Sequence, residues 1–347
     1  MSLYKLLSLG DKKVMNIGDY IQALASAQFF PHIDGFIDRE KLKDYDGVNC
    51  NVIMNGWFMH DPTQWPPSVK INPLFVALHI NTSVTDKLLS EEGVAYLKKF
   101  EPIGCRDTFT RDNLISKGIS AYFSGCMTLT LGESYRSEIR DNTCYFVDPV
   151  VETPKSILTI LKNGVSLALH YRGIKNISNK YYNDTVTFPR LLKMAGFYRI
   201  YTRYFTPQTL IEATYINQES SRYAQAFSTD EERLEEAKRL VGLYSRAKLV
   251  VTSRIHCALP CLGLETPVVY TAKMNDSEKS ACRFGGLMDL FNVLTCDSEK
   301  SSINFTIEKK IDKDNPVTNK NTWKELAHNL IKTCREFVKQ SEDNTPS

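Results

Sequence analysis

The sequence predicts an α/β protein whose parallel sheets fall into two successive units facing a cleft, and three observations carry that expectation. The first half alternates short apolar runs with helical stretches, the pattern of a parallel sheet covered on both faces. The alternation restarts near Cys144. Residues 248–270, KLVVTSRIHCALPCLGLETPVVY, then read as strand, tight turn, helix and strand. A chain of 347 residues is long enough for two separate cores.

In chain order, residues 4–9 form a short strand and Asn16-Ile17-Gly18-Asp19 a turn. Residues 20–30 form an almost wholly apolar helix, stopped by Pro31, which lacks an N–H and fits no helix interior. Residues 52–54 make a buried strand opening into Asn55-Gly56-Trp57, and residues 74–80 make another, followed by a helix over 90–99. A strand over 102–105 ends at Arg106-Asp107, before a helix that closes near Gly118. The second unit opens with a strand over 144–147 that ends in Asp148-Pro149. Residues 151–228 are read as helices with one strand at 213–216. Leu234, Ala237, Leu240, Val241 and Tyr244 recur at three- and four-residue intervals, an amphipathic helix over 231–248 that packs on the sheet. The expected division is an N-terminal domain over 1–143, a C-terminal domain over 144–335, and a frayed polar tail over 336–347.

Composition narrows the function classes. An apolar fraction of 42% with 24% charged residues is ordinary for a globular protein. A net charge of +3 without a dense Lys/Arg block excludes a nucleic-acid surface, so any anion binding is local. The nine cysteines form no CxxC or Cys/His cluster. Cys257 and Cys261 share a helix face with apolar neighbours and read as buried structural thiols, reduced in a cytosolic protein. No histidine spacing suggests a metal site. The opening MSLYKLLSLG is too short for a signal peptide, and no run approaches the roughly 20 apolar residues of a membrane span. The expected location is cytoplasmic, with any membrane contact peripheral and at the inner face.

The chemistry-bearing residues sit where strands end. In a parallel sheet, ligands bind at the carboxyl ends of strands, and the helix that starts there offers backbone N–H groups to an anion. Ser253, Arg254 and His256 occupy that position, which suggests a site for a small anionic substrate. Arg106 ends an earlier strand, while Asp107 reads first as the cap of the next helix. Gly18 permits a tight turn or a close ligand approach; Asp19 reads as a helix cap. The loop GWFMHDPTQWPP after Asn55 either offers aromatic faces to a sugar ring, or buries Trp57 and Phe58 and leaves Trp65 alone exposed.

Asn16-x-Gly18-Asp19, Cys105-Arg106-Asp107 and Ser253-Arg254-x-His256, in this order and spacing, resemble the polysaccharide pyruvyl transferase family. The likeness is closest over 230–273 and 14–30 and weakest over 151–228. It implies two Rossmann-like domains similar to the GT-B glycosyltransferases. It also implies transfer of the enolpyruvyl-derived group of phosphoenolpyruvate onto a sugar hydroxyl pair, giving a pyruvate ketal on a capsular, exopolysaccharide or cell-wall precursor. The acceptor is then a sugar or lipid-linked oligosaccharide, and phosphoenolpyruvate is a substrate rather than a cofactor. His256, Arg254 and Arg106 become the catalytic residues, with Lys273, Asp19, Gly18, Asn16, Asn55 and Ser253 binding substrate. The alternatives are a nucleotide-sugar glycosyltransferase on the same architecture and a non-catalytic glycan-binding homologue.

Overall fold

A computed structural model describes residues 2–9, 15–220, 225–274 and 282–343. Its largest sheet has six strands, in the order Thr214–Ile216, Cys144–Val147, Leu249–Thr252, Val268–Lys273, Asn292–Cys296 and Ser301–Ile303. The first five run parallel and the last returns antiparallel. Side chains alternate faces along each strand. Val250, Val268, Tyr270 and Val293 join one core cluster with the helices Gly18–Ala27, Asp230–Arg246 and Ile255–Gly263. Leu249, Val251, Val269 and Leu294 join another, under the helices Ile157–Tyr182 and Phe188–Tyr201. Both faces are therefore covered, which explains the unbroken apolar runs of the central strands.

The N-terminal half holds further parallel pairings. Leu6–Ser8 pairs with Phe36–Asp38 and Cys50–Ile53 with Ile71–Leu74, and Gly56–Phe58, Leu78–Ile80, Ile103–Cys105 and Ala121–Phe123 form a four-stranded sheet. Backbone bonds stitch these together, Lys5 N to Asn51 O at 3.1 Å, Met54 N to Leu74 O at 2.8 Å and Gly104 N to Phe75 O at 3.0 Å. The strand expected over 74–80 is broken in two because Ala77 takes a positive φ of 52°. The helix expected from residue 20 begins at Gly18 and ends at Ala27.

Two expectations need correction. Positions 344–347 of the expected tail lie outside the described residues. Over 336–343 the polar stretch is no frayed tail: the helix Trp323–Asp343 continues through it, buries Cys334 and Val338, and places the Cys334 thiol 3.8 Å from the Met127 sulfur. A strong 3.6-residue periodicity was hidden there under a charged outer face. Nor does residue 143 close a separate core, since one cluster joins Tyr4, Tyr20, Leu24 and Met127 to Tyr145, Leu240 and Leu259.

That shared core depends on two glycines. A Cβ on Gly263 would lie 2.3 Å from the Leu129 carbonyl oxygen, and one on Gly132 would lie 2.1 Å from the Gly263 carbonyl oxygen. Backbone meets backbone here, so no side chain can swing away. Gly263→Ala should destabilise the fold by at least the roughly 1–3 kcal/mol typical of overpacking, read as a lower urea midpoint. An unchanged midpoint would mean that this contact is slack.

Candidate functional site

The site lies where the carboxyl ends of the strands Ile103–Cys105 and Leu249–Thr252 meet one cavity. The strand Leu249–Thr252 stops at a turn in which the Thr252 hydroxyl accepts the Arg254 N–H at 2.9 Å. Arg254 is the first, extended residue before the helix Ile255–Gly263, and no side chain caps that start. His256 leaves the helical φ/ψ region, turning its ring toward the start of the helix Gly18–Ala27. Gly18 makes room for it: a Cβ there would meet the His256 Cβ at 3.0 Å and Nδ1 at 3.2 Å. Asn16 secures the turn through its side-chain oxygen, which accepts the Gly18 N–H at 3.0 Å. Asp19 is thus in the first helical turn rather than at the cap, which is Ile17.

A cavity of about 370 Å³ opens between these elements. Asn16, Asp19, Arg106, Ser253, Arg254 and His256 line it, so six of the nine residues named from the sequence converge. Arg106 is buried at the end of the strand Ile103–Cys105, and its Nε has no hydrogen-bond partner. The Nε2 of His256 and the Nε of Arg39 are buried and unpartnered in the same way. Buried polar atoms are normally satisfied, and the Gln218 side-chain oxygen makes a fourth such orphan around this one cleft. Arg254 is held from behind: its Nε donates to the Asp148 carboxylate at 2.8 Å, and the same oxygen accepts the Gln218 N–H at 2.9 Å. Ser253 donates to the Asp148 carbonyl.

Three assignments stand elsewhere. Gly18 packs under His256 rather than lining the cavity. Lys273 is exposed at its strand end, 3.3 Å from Glu152, and does not reach the cavity. Asn55 is buried, accepting from Ser26 at 3.0 Å and donating to the Gln22 carbonyl at 3.1 Å, so it braces the helix Gly18–Ala27. Of the aromatic loop, Trp57 and His60 line the cavity, while Phe58 and Trp65 are core residues, which removes the alternative in which Trp65 alone stands exposed.

Sequence reasoning missed Arg39 and Arg283. Arg39 sits 3.6 Å from the Asp19 carboxylate, its guanidinium 5.4 Å from the Trp57 ring centre. Nothing in its local sequence, Asp38-Arg39-Glu40-Lys41, sets it apart from a solvated charge run. Arg283 enters from the short turn Cys282–Phe284 and supplies the cation expected of Lys273.

The electrostatics follow from four arginines around buried groups. Burial first, then Arg106, Arg283 and Arg39, hold the His256 imidazole well below its ordinary pKa, so it is neutral in the open cleft. Burial raises the Asp19 carboxyl, against the pull of Arg39 and Arg106. Behind Arg106, the His79 Nδ1 lies 2.6 Å from the Asp107 carboxylate, which also caps the helix Thr108–Ser116 by accepting the Thr110 N–H. Burial and Arg106 push His79 down to about 4. For Asp107, burial works upward, but the His79 hydrogen bond, the His79 ring and Arg106 outweigh it and lower the carboxyl.

A stability prediction follows. Between about 4 and the unfolded histidine value near 6.5, the unfolded chain binds more protons at His79 than the native one. Stability therefore rises with pH across that window and is lost on acidification, by roughly a few kcal/mol. The urea midpoint should be lower at pH 5 than at pH 7, with the drop reduced in His79→Asn. A midpoint that rises on acidification would contradict this.

Fold and site together define a mixed α/β protein with an arginine-walled cleft. Among the described residues no His/Cys/Asp/Glu cluster suits a metal ion. The chain belongs to the polysaccharide pyruvyl transferase family, whose pattern matches residues 16–272. A comparison with curated proteins and with solved structures finds no match.

Proposed function

We propose that this protein transfers the enolpyruvyl-derived group of phosphoenolpyruvate to a pair of sugar hydroxyls, forming a pyruvate ketal. The observation that carries this reading is the convergence of Arg39, Arg106, Arg254 and Arg283 on one cavity beside His256 and Asp19. Phosphoenolpyruvate presents a phosphate and a carboxylate on a three-carbon frame. Planar guanidinium forks suit both groups through paired, charge-assisted hydrogen bonds. Arg39 and Arg106 come from the N-terminal half, Arg254 and Arg283 from the C-terminal half, which supports a GT-B-like clamp closing on the donor from two sides.

The reaction needs one group that takes a proton and one that gives it. Neighbours that push an aspartic acid up and a histidine down produce such a pair. Neutral His256 accepts the proton of the first sugar hydroxyl, and Asp19, whose carboxyl burial raises toward holding a proton, gives one to the methylene carbon. The hydroxyl oxygen bonds the adjacent carbon. The carbon–oxygen bond to phosphate breaks with its electron pair going to phosphate, and the second hydroxyl closes the ketal. Of the two hydroxyl protons, one is balanced by the new methyl group and the other leaves with phosphate. The arginines stabilise the departing phosphate, where charge grows during the step. Trp57, beside the cations, offers a face for the acceptor sugar.

The test is to incubate the protein with phosphoenolpyruvate and candidate oligosaccharide acceptors, following phosphate release and acceptor mass together. The expected result is phosphate release matched by the mass gain of one pyruvate ketal. Binding of glycans without phosphate release from any acceptor would make the protein a glycan-binding homologue instead. Sugar transfer from a nucleotide sugar would make it a glycosyltransferase.

A further inference from the structure

The helix Ile157–Tyr182 is amphipathic in the wrong sense for a soluble fold. Its φ/ψ angles break at His170, which divides it into two segments. In the first segment the inward side is mostly polar, with Leu167 its buried apolar residue. Asn163 donates to the Leu192 carbonyl and accepts from Arg199, Thr159 bonds Glu299, and Ser166 is buried. The outward side is apolar. Ile157, Leu161, Val165 and Leu169 recur every four residues, which places them on one helix face with Leu158 beside them. Leu161 is 61% exposed and Leu169 73%, far beyond the scattered apolar atoms of an ordinary surface.

Charge sets what can cover this face. Between residues 155 and 180 the chain carries Lys155, Lys162, Arg172, Lys175 and Lys180 and no Asp or Glu. Two acids from the neighbouring turn feel these cations, Asp297 near Lys155 and Glu299 near Lys162, the latter held by Ser156 and Thr159. Among the described residues, Lys155, Lys162 and Arg172 take part in no ion pair. A second copy docked face to face would oppose these cations to themselves. Among the described residues, the apolar ridge lines none of the four main cavities and so offers a peptide no groove there. Among the described residues no helix is long and apolar enough to cross a membrane.

The geometry points to a docking face for an anionic lipid bilayer: the segment from Ile157 to Leu169 lies in the headgroup plane, its apolar ridge among the acyl chains and its lysines on acidic headgroups. Leucine-rich ridges flanked by cations bind interfaces in this way, through buried apolar area plus attraction to anionic lipid. The same helix ends at Tyr181 and Tyr182, which line a second cavity of about 820 Å³ with Tyr215 and Asn217. Gln218, the next residue, lines the arginine cleft. Docking would therefore hold the cleft near the membrane surface.

The test uses the full chain and does not depend on catalysis. It measures cosedimentation with vesicles of phosphatidylcholine, either pure or with about a third phosphatidylglycerol. The wild type should bind the anionic vesicles, weakly or not at all the neutral ones, and lose binding as salt rises. Leu161→Ser/Val165→Ser/Leu169→Ser and Lys162→Glu/Arg172→Glu should each reduce binding by about tenfold or more, with unchanged circular dichroism. The proposal is overturned if wild type ignores anionic vesicles, or if neither variant changes binding. It is also overturned if light scattering shows a wild-type dimer that the serine variant converts to monomer.

Discussion

Arg106→Lys should lower phosphate release from phosphoenolpyruvate plus acceptor by about 10²–10³-fold, the loss seen when one fixed donor to a developing oxyanion is removed. Arg106 is buried, its Nε without a partner, with the Asp107 carboxylate 3.9 Å behind it. Lysine keeps the charge and so keeps Asp107 compensated, which protects the fold. It cannot reproduce the planar fork that addresses two oxygens at once. The loss should therefore appear in both kcat and KM, with the thermal midpoint little changed. Activity within about twofold of wild type would place the donor elsewhere than against Arg106.

His256→Asn is the second large effect, a fall in kcat of about 10²–10⁴-fold, the usual contribution of a placed acid or base. Binding of phosphoenolpyruvate should survive, because the four arginines remain in place. The variant carries its own internal check. The wild-type imidazole is depressed by burial and by Arg106, Arg283 and Arg39, so the unfolded chain takes up more protons there below its ordinary value. Replacing it should make the folded protein less sensitive to acid even as catalysis collapses. A variant that loses donor binding together with kcat would show His256 to be a structural support of the cleft rather than a proton carrier.

The parts of this arrangement that could be read from the sequence are those set by local rules. The strand Leu249–Thr252 and the turn at Ser253-Arg254 were legible because a β-branched run ends abruptly in polar residues before a helix. Arg106 was legible in the same way, at the end of Ile103–Cys105. Asp107 was legible as a helix cap, but its pairing with His79 was not, because those residues are 28 positions apart. Arg39 was hidden among ordinary surface charges and gains its meaning only from Asp19 and Trp57. Lys273 looked right by position along its strand and is wrong by direction, since the chain carries Arg283 into the cleft instead. The terminal helix was misread because its charged outer face dominates its composition.

Titration calorimetry with phosphoenolpyruvate most directly tests whether the arginine cleft is the donor site. One molecule should bind per chain, compete with inorganic phosphate, weaken with salt, and fail to bind in the Arg106→Lys/Arg254→Lys double variant. UDP and GDP should give no heat. Absence of phosphoenolpyruvate binding, or binding untouched by the double variant, would contradict the account at its centre.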